Sequence, residues 1–249
     1  MHTSDNRRRH FLKGAGIALL ASGTLPGLPL LSRPTRAEAS GAATQTRESQ
    51  EAITPDMALR MLKAGNTRFV EGRTRRRDYR KQVQATASGQ FPFAAIVGCM
   101  DSRASNELIF DQGIGDLFSQ RIAGNYIDDA ILGGLEFACA VSGAKLIVVV
   151  GHTECGAIRG ACDNVVLGNL TQTLANIKPA VDAVPGYTAN RTSRNGAFVQ
   201  AVATQNVILG LERIRKQSPV LRDLVDKGTV GLTGAMYDVH TGRATFLQA

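Results

Sequence analysis

The stretch Phe93-Ala94-Ala95-Ile96-Val97-Gly98-Cys99-Met100-Asp101-Ser102-Arg103 opens with six uncharged residues and closes on groups that ionise or bind metals. A second stretch, Lys145-Leu146-Ile147-Val148-Val149-Val150-Gly151-His152-Thr153-Glu154-Cys155-Gly156, has six uncharged residues after its leading Lys and closes in the same way. Short continuous apolar runs, without polar alternation, fit strands buried on both faces of a parallel sheet. Residues 116–122 and 230–239 are further strand candidates, while residues 131–142 and 198–215 space their apolar side chains as helices do. Strands alternating with helices imply an α/β fold, with a mainly parallel sheet of about four strands flanked by helices. Neither an internal repeat nor an interdomain linker interrupts residues 54–249, which are therefore expected to form a single domain.

Working outward, Thr54-Pro55 starts a helix well, because Thr offers an N-cap oxygen and Pro suits the first turn. Met57, Met61, Leu62 and Phe69 give that helix an apolar face for core or subunit packing, and Gly72 ends it. The following run of Arg73, Arg75, Arg76, Arg77, Arg80 and Lys81 has no aromatic pattern for stacking bases. It is expected to be a solvated loop or edge, not a nucleic-acid site. The net charge of +8 carries no other message, since half of it sits in the first 39 residues. There, Arg7-Arg8-Arg9-His10-Phe11-Leu12-Lys13 precedes an apolar stretch and then Ala37-Glu38-Ala39, the small-x-small pattern of a cleavage site. The string from Arg8 to Lys13 resembles a twin-arginine export signal. Glycines and prolines between Gly14 and Pro29 make a poor spanning helix. Residues 1–39 are thus expected to be a cleaved signal for a periplasmic or otherwise exported protein that meets the membrane only during export. Residues 40–53 are expected to be a flexible lead-in.

Ligand sites in open parallel sheets lie beyond the carboxyl ends of strands. Cys99 and His152 are expected at one such edge, with Cys155 a short loop further on, where Gly156 and Ala157 begin a helix. A thiolate at that helix start is expected to have a lowered pKa. Two thiolates and one imidazole form a borderline-soft set suited to zinc. Three protein ligands leave a tetrahedral zinc one open position for water, which separates a catalytic site from a structural one. A Cys closing a strand is often only a small hydrophobe, and His-x-x-Cys alone is a weak signal. Three such residues at strand ends, with Asp101-x-Arg103 beside them, outweigh that plainer reading. The glycine spacing from Gly151 to Gly156 mimics a phosphate loop, but Ala157-Ile158 replaces the required Lys-Ser/Thr. Thioredoxin-like chemistry would need Cys-x-x-Cys, which is absent. Cys139 falls in an apolar helical pattern and is assigned to the core. Cys162 is either a spare thiol or half of a disulfide formed after export.

From about Ala58 to Leu247 the sequence resembles the β-class carbonic anhydrases. The strongest pieces are Cys99-Met100-Asp101-Ser102-Arg103 and His152-Thr153-Glu154-Cys155-Gly156, supported by Ile109-Phe110-Asp111-Gln112-Gly113, Ala123-Gly124-Asn125 and Gly234-Ala235-Met236-Tyr237-Asp238. The resemblance implies one zinc per chain on Cys99, His152 and Cys155, and a catalytic pair of Asp101 and Arg103. It also implies a substrate pocket for carbon dioxide or bicarbonate at a dimer interface, with Gln90 and Phe118 lining it. Phe137 is a further pocket candidate, standing where plant-like members have Tyr. A homodimer or homotetramer that reversibly hydrates carbon dioxide is the implied function. A carbon disulfide or carbonyl sulfide hydrolase on the same scaffold, and a non-catalytic zinc-binding protein, are the alternatives. Ala104-Ser105-Asn106 departs from the Val-Pro-Pro common after the pair, which leaves the shape of that loop open. The chain has no Trp, so bicarbonate inhibition of the kind that uses a Trp in some members is not expected.

Overall fold

A computed structural model describes residues 41–247; the expected export signal lies outside them. In chain order the elements are α1 (Arg47–Ala52), α2 (Pro55–Val70), α3 (Tyr79–Thr86), β1 (Ala94–Gly98), α4 (Asn106–Ile109), β2 (Leu117–Arg121) and α5 (Asp129–Glu136). A π-helical turn, Phe137–Val141, follows α5, then β3 (Leu146–His152), α6 (Gly156–Cys162), α7 (Leu170–Ala175) and α8 (Lys178–Ala183). The long α9 (Gly196–Gln217), α10 (Pro219–Asp226), β4 (Gly231–Tyr237) and β5 (Ala244–Phe246) complete the fold. The sheet order is β2-β1-β3-β4-β5. The first four strands are parallel, as expected, and β5 adds an antiparallel edge. Among the described residues, no helix is long and apolar enough to cross a membrane.

The two strands that the sequence marks most clearly are the two central ones, and every residue of both is buried. Side chains alternate across a strand, and the core divides accordingly. Ala95, Val97, Ile147 and Val149 pack on one face with Leu132, Leu135, Val207 and Ile214 from α5 and α9. Ala94, Ile96, Val148 and Val150 pack on the other with Ala58 and Leu62 of α2 and Ile109 and Phe110 near α4. Apolar cover on both sides is what lets these strands dispense with polar alternation.

Thr54 caps α2 by accepting from the Met57 amide, and Gly72 follows the helix in the left-handed region at φ +66. The apolar stripe expected on α2 is split, however. Leu62 is fully buried, whereas Met57 is 38% exposed, and Met57 and Met61 line a surface groove with Arg60, Arg68 and Arg75.

Two sequence expectations are corrected. The lead-in is not wholly flexible, because residues 47–52 form α1, started by a reciprocal cap between Thr46 and Ser49. Gln50 is buried there and donates to Pro92 O (2.7 Å) and Ser142 O (2.9 Å). Further back, Gln82 Nε2 donates to Gly41 O and Ala43 O (3.3 and 3.0 Å). Apart from Ile53, which is buried in the core, the segment is held by side-chain amide hydrogen bonds, so its mostly polar composition concealed it. The arginine run is also not uniformly solvated. Arg77 is 9% exposed, and with Arg68 it grips the carboxylate of Asp111, which is 1% exposed. Arg75 N donates to the same carboxylate (3.2 Å). Removing one member of a buried ion cluster strands the others, typically costing ~3–5 kcal/mol. Asp111→Ala is therefore expected to lower unfolding free energy by about that amount in urea titration, whereas Arg73→Ala at the exposed end of the run should change it by under ~0.5 kcal/mol.

Candidate metal centre

Register brings the two chemical stretches together. Gly98, the last residue of β1, pairs with Val150 of β3, so Cys99 lies level with Gly151, one position before His152. His152 is still in the ladder, paired with Tyr237. Its Nδ1 lies 2.8 Å from Thr153 O. A carbonyl can only accept, so Nδ1 carries the proton and Nε2 presents a lone pair. That Nε2 is buried without a hydrogen-bond partner. Thr153 is fixed in turn: its amide donates to Tyr237 O (2.9 Å), while its hydroxyl accepts from Val239 N (3.0 Å) and donates to Asp238 Oδ1 (3.3 Å). Glu154, at φ +56, turns the chain, and Cys155 stands at the N-cap of α6.

Cys99 Sγ and Cys155 Sγ are 3.9 Å apart, and both thiols and the imidazole are buried, with donor atoms within 4.8 Å of one another. Sulfurs bound at ~2.3 Å to one tetrahedral zinc stand roughly 3.8 Å apart. Spacing, the unpartnered Nε2 and the soft donor set all fit zinc. In the metal-free chain the two thiols are coupled. Cys99 is lowered, chiefly through its hydrogen bond with Cys155. Cys155 is pushed up by Cys99 and by burial, while the helix-start amides of Ile158 and Ala157 act in the expected, lowering direction. One negative charge is shared by two adjacent sulfurs, and a cation is what would let both ionise. Burial lowers the basicity of His152, but the neighbouring Cys99 reverses this and the net direction is upward.

Gly124 N also donates to Cys99 Sγ (3.3 Å), and Asn206 Nδ2 secures Gly124 O (2.8 Å). Gly124 has φ +80, and a Cβ there would lie 2.4 Å from Ile177 Cδ1, so only glycine brings this amide to the sulfur.

Asp101 and Arg103 form the expected fork. Asp101 Oδ1 accepts from Arg103 Nε (3.0 Å) and Arg103 N (2.9 Å), and Oδ2 accepts from Nη2 (2.8 Å). Those hydrogen bonds hold the Asp101 carboxyl down at about 2. Asp101 Oδ2 is 4.0 Å from His152 Nε2, at the edge of the donor set. Arg103 Nη2 also reaches Glu154 O (3.3 Å), linking the two loops. The loop lacking Val-Pro-Pro is fixed by Asn106, which is 1% exposed and donates to Ser119 Oγ (2.9 Å).

The pocket candidates are not brought to this centre within one chain. Phe118 pairs with Ala95, four residues before Cys99 and so roughly 13 Å down the strand at ~3.3 Å per residue. It meets Phe137 edge-on, with centroids 6.0 Å apart. Phe137 and Gln90 are both exposed. Cys139 and Cys162 are free and buried, and burial pushes Cys139 up to about 12, an inert thiol. Arg121, Thr153, Asp238 and Gly124 had not been singled out as site residues. Thr153, Gly124 and Asp238 lie within the stretches that carry the resemblance, and Arg121 stands near the end of a strand candidate.

The family model described as carbonic anhydrase matches residues 94–244. Carbonic anhydrase 2 of Mycobacterium tuberculosis is 37% identical over 195 residues, covering 76% of this chain and 91% of that protein. The carbonic anhydrase of Mycolicibacterium smegmatis is 32% identical over 190 residues, covering 76% and 91%. Among solved structures, the β-carbonic anhydrase CafA of Aspergillus fumigatus superimposes with a TM-score of 0.61 at 28% identity, over 69% of this chain and 82% of that one. A tetrameric β-carbonic anhydrase of Sordaria macrospora gives 0.58 at 26% identity, over 67% and 85%. The chain belongs to the carbonic anhydrase family, in its β class.

Because the folded pKa of Asp101 lies below the ordinary carboxylate value, its stabilising pair is fully present above that ordinary value, ~3.9. It is lost as pH falls through about 2. Arg103→Ala removes the main cause, so carboxyl-carbon NMR titration of the metal-free variant should find the Asp101 midpoint moved up from about 2.

Proposed function

We propose that this protein is a zinc-dependent carbonic anhydrase that reversibly converts carbon dioxide and water to bicarbonate and a proton. The observation that carries the reading is the buried Cys99–His152–Cys155 donor set with the Asp101–Arg103 fork at its edge. A purely structural metal site needs no such fork. Zinc held by these three residues would acidify a water molecule into a nucleophile near neutral pH, the behaviour established for the three-histidine carbonic anhydrase centre. Asp101, kept ionised by Arg103, can only accept a hydrogen bond, so it would accept one from that nucleophile and thereby orient its lone pair toward the carbon of the substrate. Arg103 holds the carboxylate in a planar fork that Lys cannot reproduce. His152 keeps its tautomer through Thr153 O. No observation favours carbon disulfide or carbonyl sulfide as the substrate.

A homo-oligomer is part of this proposal. The Sordaria macrospora enzymes are tetrameric, and the resemblance puts Gln90 and Phe118 at a dimer interface. Their distance from Cys99 within one chain fits a pocket completed by a second copy, and Phe137 packs against Phe118 there. Export by the twin-arginine route is likewise proposed from Arg8-Arg9 and Ala37-Glu38-Ala39. Changing both arginines to Lys should retain the precursor inside the cell, and the mature N-terminus should be Ser40; unaltered export would overturn this route.

Metal analysis should find one zinc per chain, lost in Cys99→Ala, His152→Ala and Cys155→Ala but kept in Cys139→Ala and Cys162→Ala. Stopped-flow hydration of carbon dioxide should fall ~100-fold or more in Arg103→Ala while zinc stays bound, as expected when an oriented catalytic group is lost. Turnover of carbon disulfide without carbon dioxide hydration would overturn the substrate assignment.

A further inference from the structure

Cys99 differs from the other two ligands in what stands behind it. His152 is inside the ladder of β3, and Cys155 begins a helix, whereas Cys99 lies one residue past the end of β1. The main chain there still has carbonyls to satisfy. Gly98 O accepts from Ile122 N (3.1 Å), and Met100 N donates to Ile122 O (3.2 Å), so pairing with the β2 side continues briefly past the strand. Beyond that, a side chain takes over. Arg121 Nε donates to Cys99 O (3.0 Å), and Nη2 of the same guanidinium donates to Asp101 O (2.6 Å).

The geometry points to Arg121 as a positioning residue, whose single guanidinium clamps the turn carrying both the metal ligand Cys99 and the substrate-facing Asp101. The inference rests on the metal reading above and adds a residue that touches neither the metal donors' ligating atoms nor the Asp101 carboxylate. Asp101 O also closes the turn by accepting from Ala104 N (3.0 Å), so Arg121 braces a turn that is already formed and fixes its tilt relative to β2. Division of labour between the two arginines follows: Arg103 orients the carboxylate, and Arg121 orients the backbone from which that carboxylate and the thiol both hang. The fork is essential to this role. Its Nε and Nη2 reach two carbonyls two residues apart, while a Lys ammonium, a point donor on a flexible stem, can replace at most one of these contacts well. Charge-assisted bonds to carbonyls are the stronger kind of hydrogen bond, and losing an outer partner of a metal site typically costs 10–100-fold in affinity or activity.

The test compares the zinc-loaded parent with Arg121→Ala and Arg121→Lys, after thermal melting confirms that each folds. Zinc affinity is measured by competition with a chelator, cobalt(II)-substituted protein gives ligand-field spectra, and carbon dioxide hydration gives kcat and KM separately. Arg121→Ala should lose ~10–100-fold in zinc affinity, shift the cobalt spectrum and lower kcat with KM within about twofold. Arg121→Lys should recover part of each loss. Unchanged zinc affinity and spectrum in Arg121→Ala, or a defect confined to KM, would overturn the positioning role while leaving the metal reading intact. Failure of the parent itself to bind zinc would overturn both. If Arg121→Ala does not fold, the Lys variant decides: a cobalt spectrum and affinity identical to the parent's would overturn the clamp.

Discussion

Two thiols buried 3.9 Å apart cannot both ionise in a low-dielectric interior unless a cation shares the space, and most of the surrounding structure is arranged around that constraint. In the metal-free chain the two sulfurs share one negative charge and one proton, which lowers Cys99 and raises Cys155. An amide from Gly124 donates to the Cys99 sulfur, and the imidazole turns its unprotonated nitrogen inward. These are features of a pre-formed site. The chain orders it largely through backbone and side-chain bonds that do not involve the metal, so little reorganisation is left for binding.

The sheet supplies the coarse placement and side chains supply the fine one. Parallel register sets Cys99 and His152 one step apart. Each ligand-bearing loop is then tied to the strand next to its own. Thr153 is held by the β4 end through Tyr237 O and Val239 N. The first loop is held to β2 through Asn106 and Arg121, and the two loops are linked by Arg103 to Glu154 O. Position is therefore controlled by groups that lie outside the donor set, which is how outer partners of metal sites usually act.

Much of this was legible in the sequence. The central strands could be read because burial on both faces forces unbroken apolar runs, and the ligands could be read because Cys, His and Asp-x-Arg sit where those runs stop. What escaped notice was stabilised by polar groups. Gln50, Gln82 and Arg77 are buried through hydrogen bonds or charge pairing, and a polar letter in a sequence carries no sign of which partner awaits it. The coupling of Cys99 to Cys155 was hidden for a related reason. Local sequence shows the helix start behind Cys155, but the stronger effect is a sulfur fifty-six positions earlier in the chain. The pocket candidates Gln90 and Phe137 are exposed and Phe118 is half-buried, so the apolar patterning that marks the core does not mark them.

Gly41 sets a border that the composition of residues 40–53 does not reveal. Its carbonyl accepts from Asp78 N (3.0 Å), it adopts φ +71, and a side chain there would meet Arg76 O at 2.6 Å. A residue bound in this way is part of the folded body and not of a tether. Any side chain at position 41 would press on the main chain of Arg76, next to the Arg77 that grips Asp111. The start of the described chain is thereby coupled to the buried ion cluster, so a change at this outlying glycine would be felt as a loosening of the arginine segment.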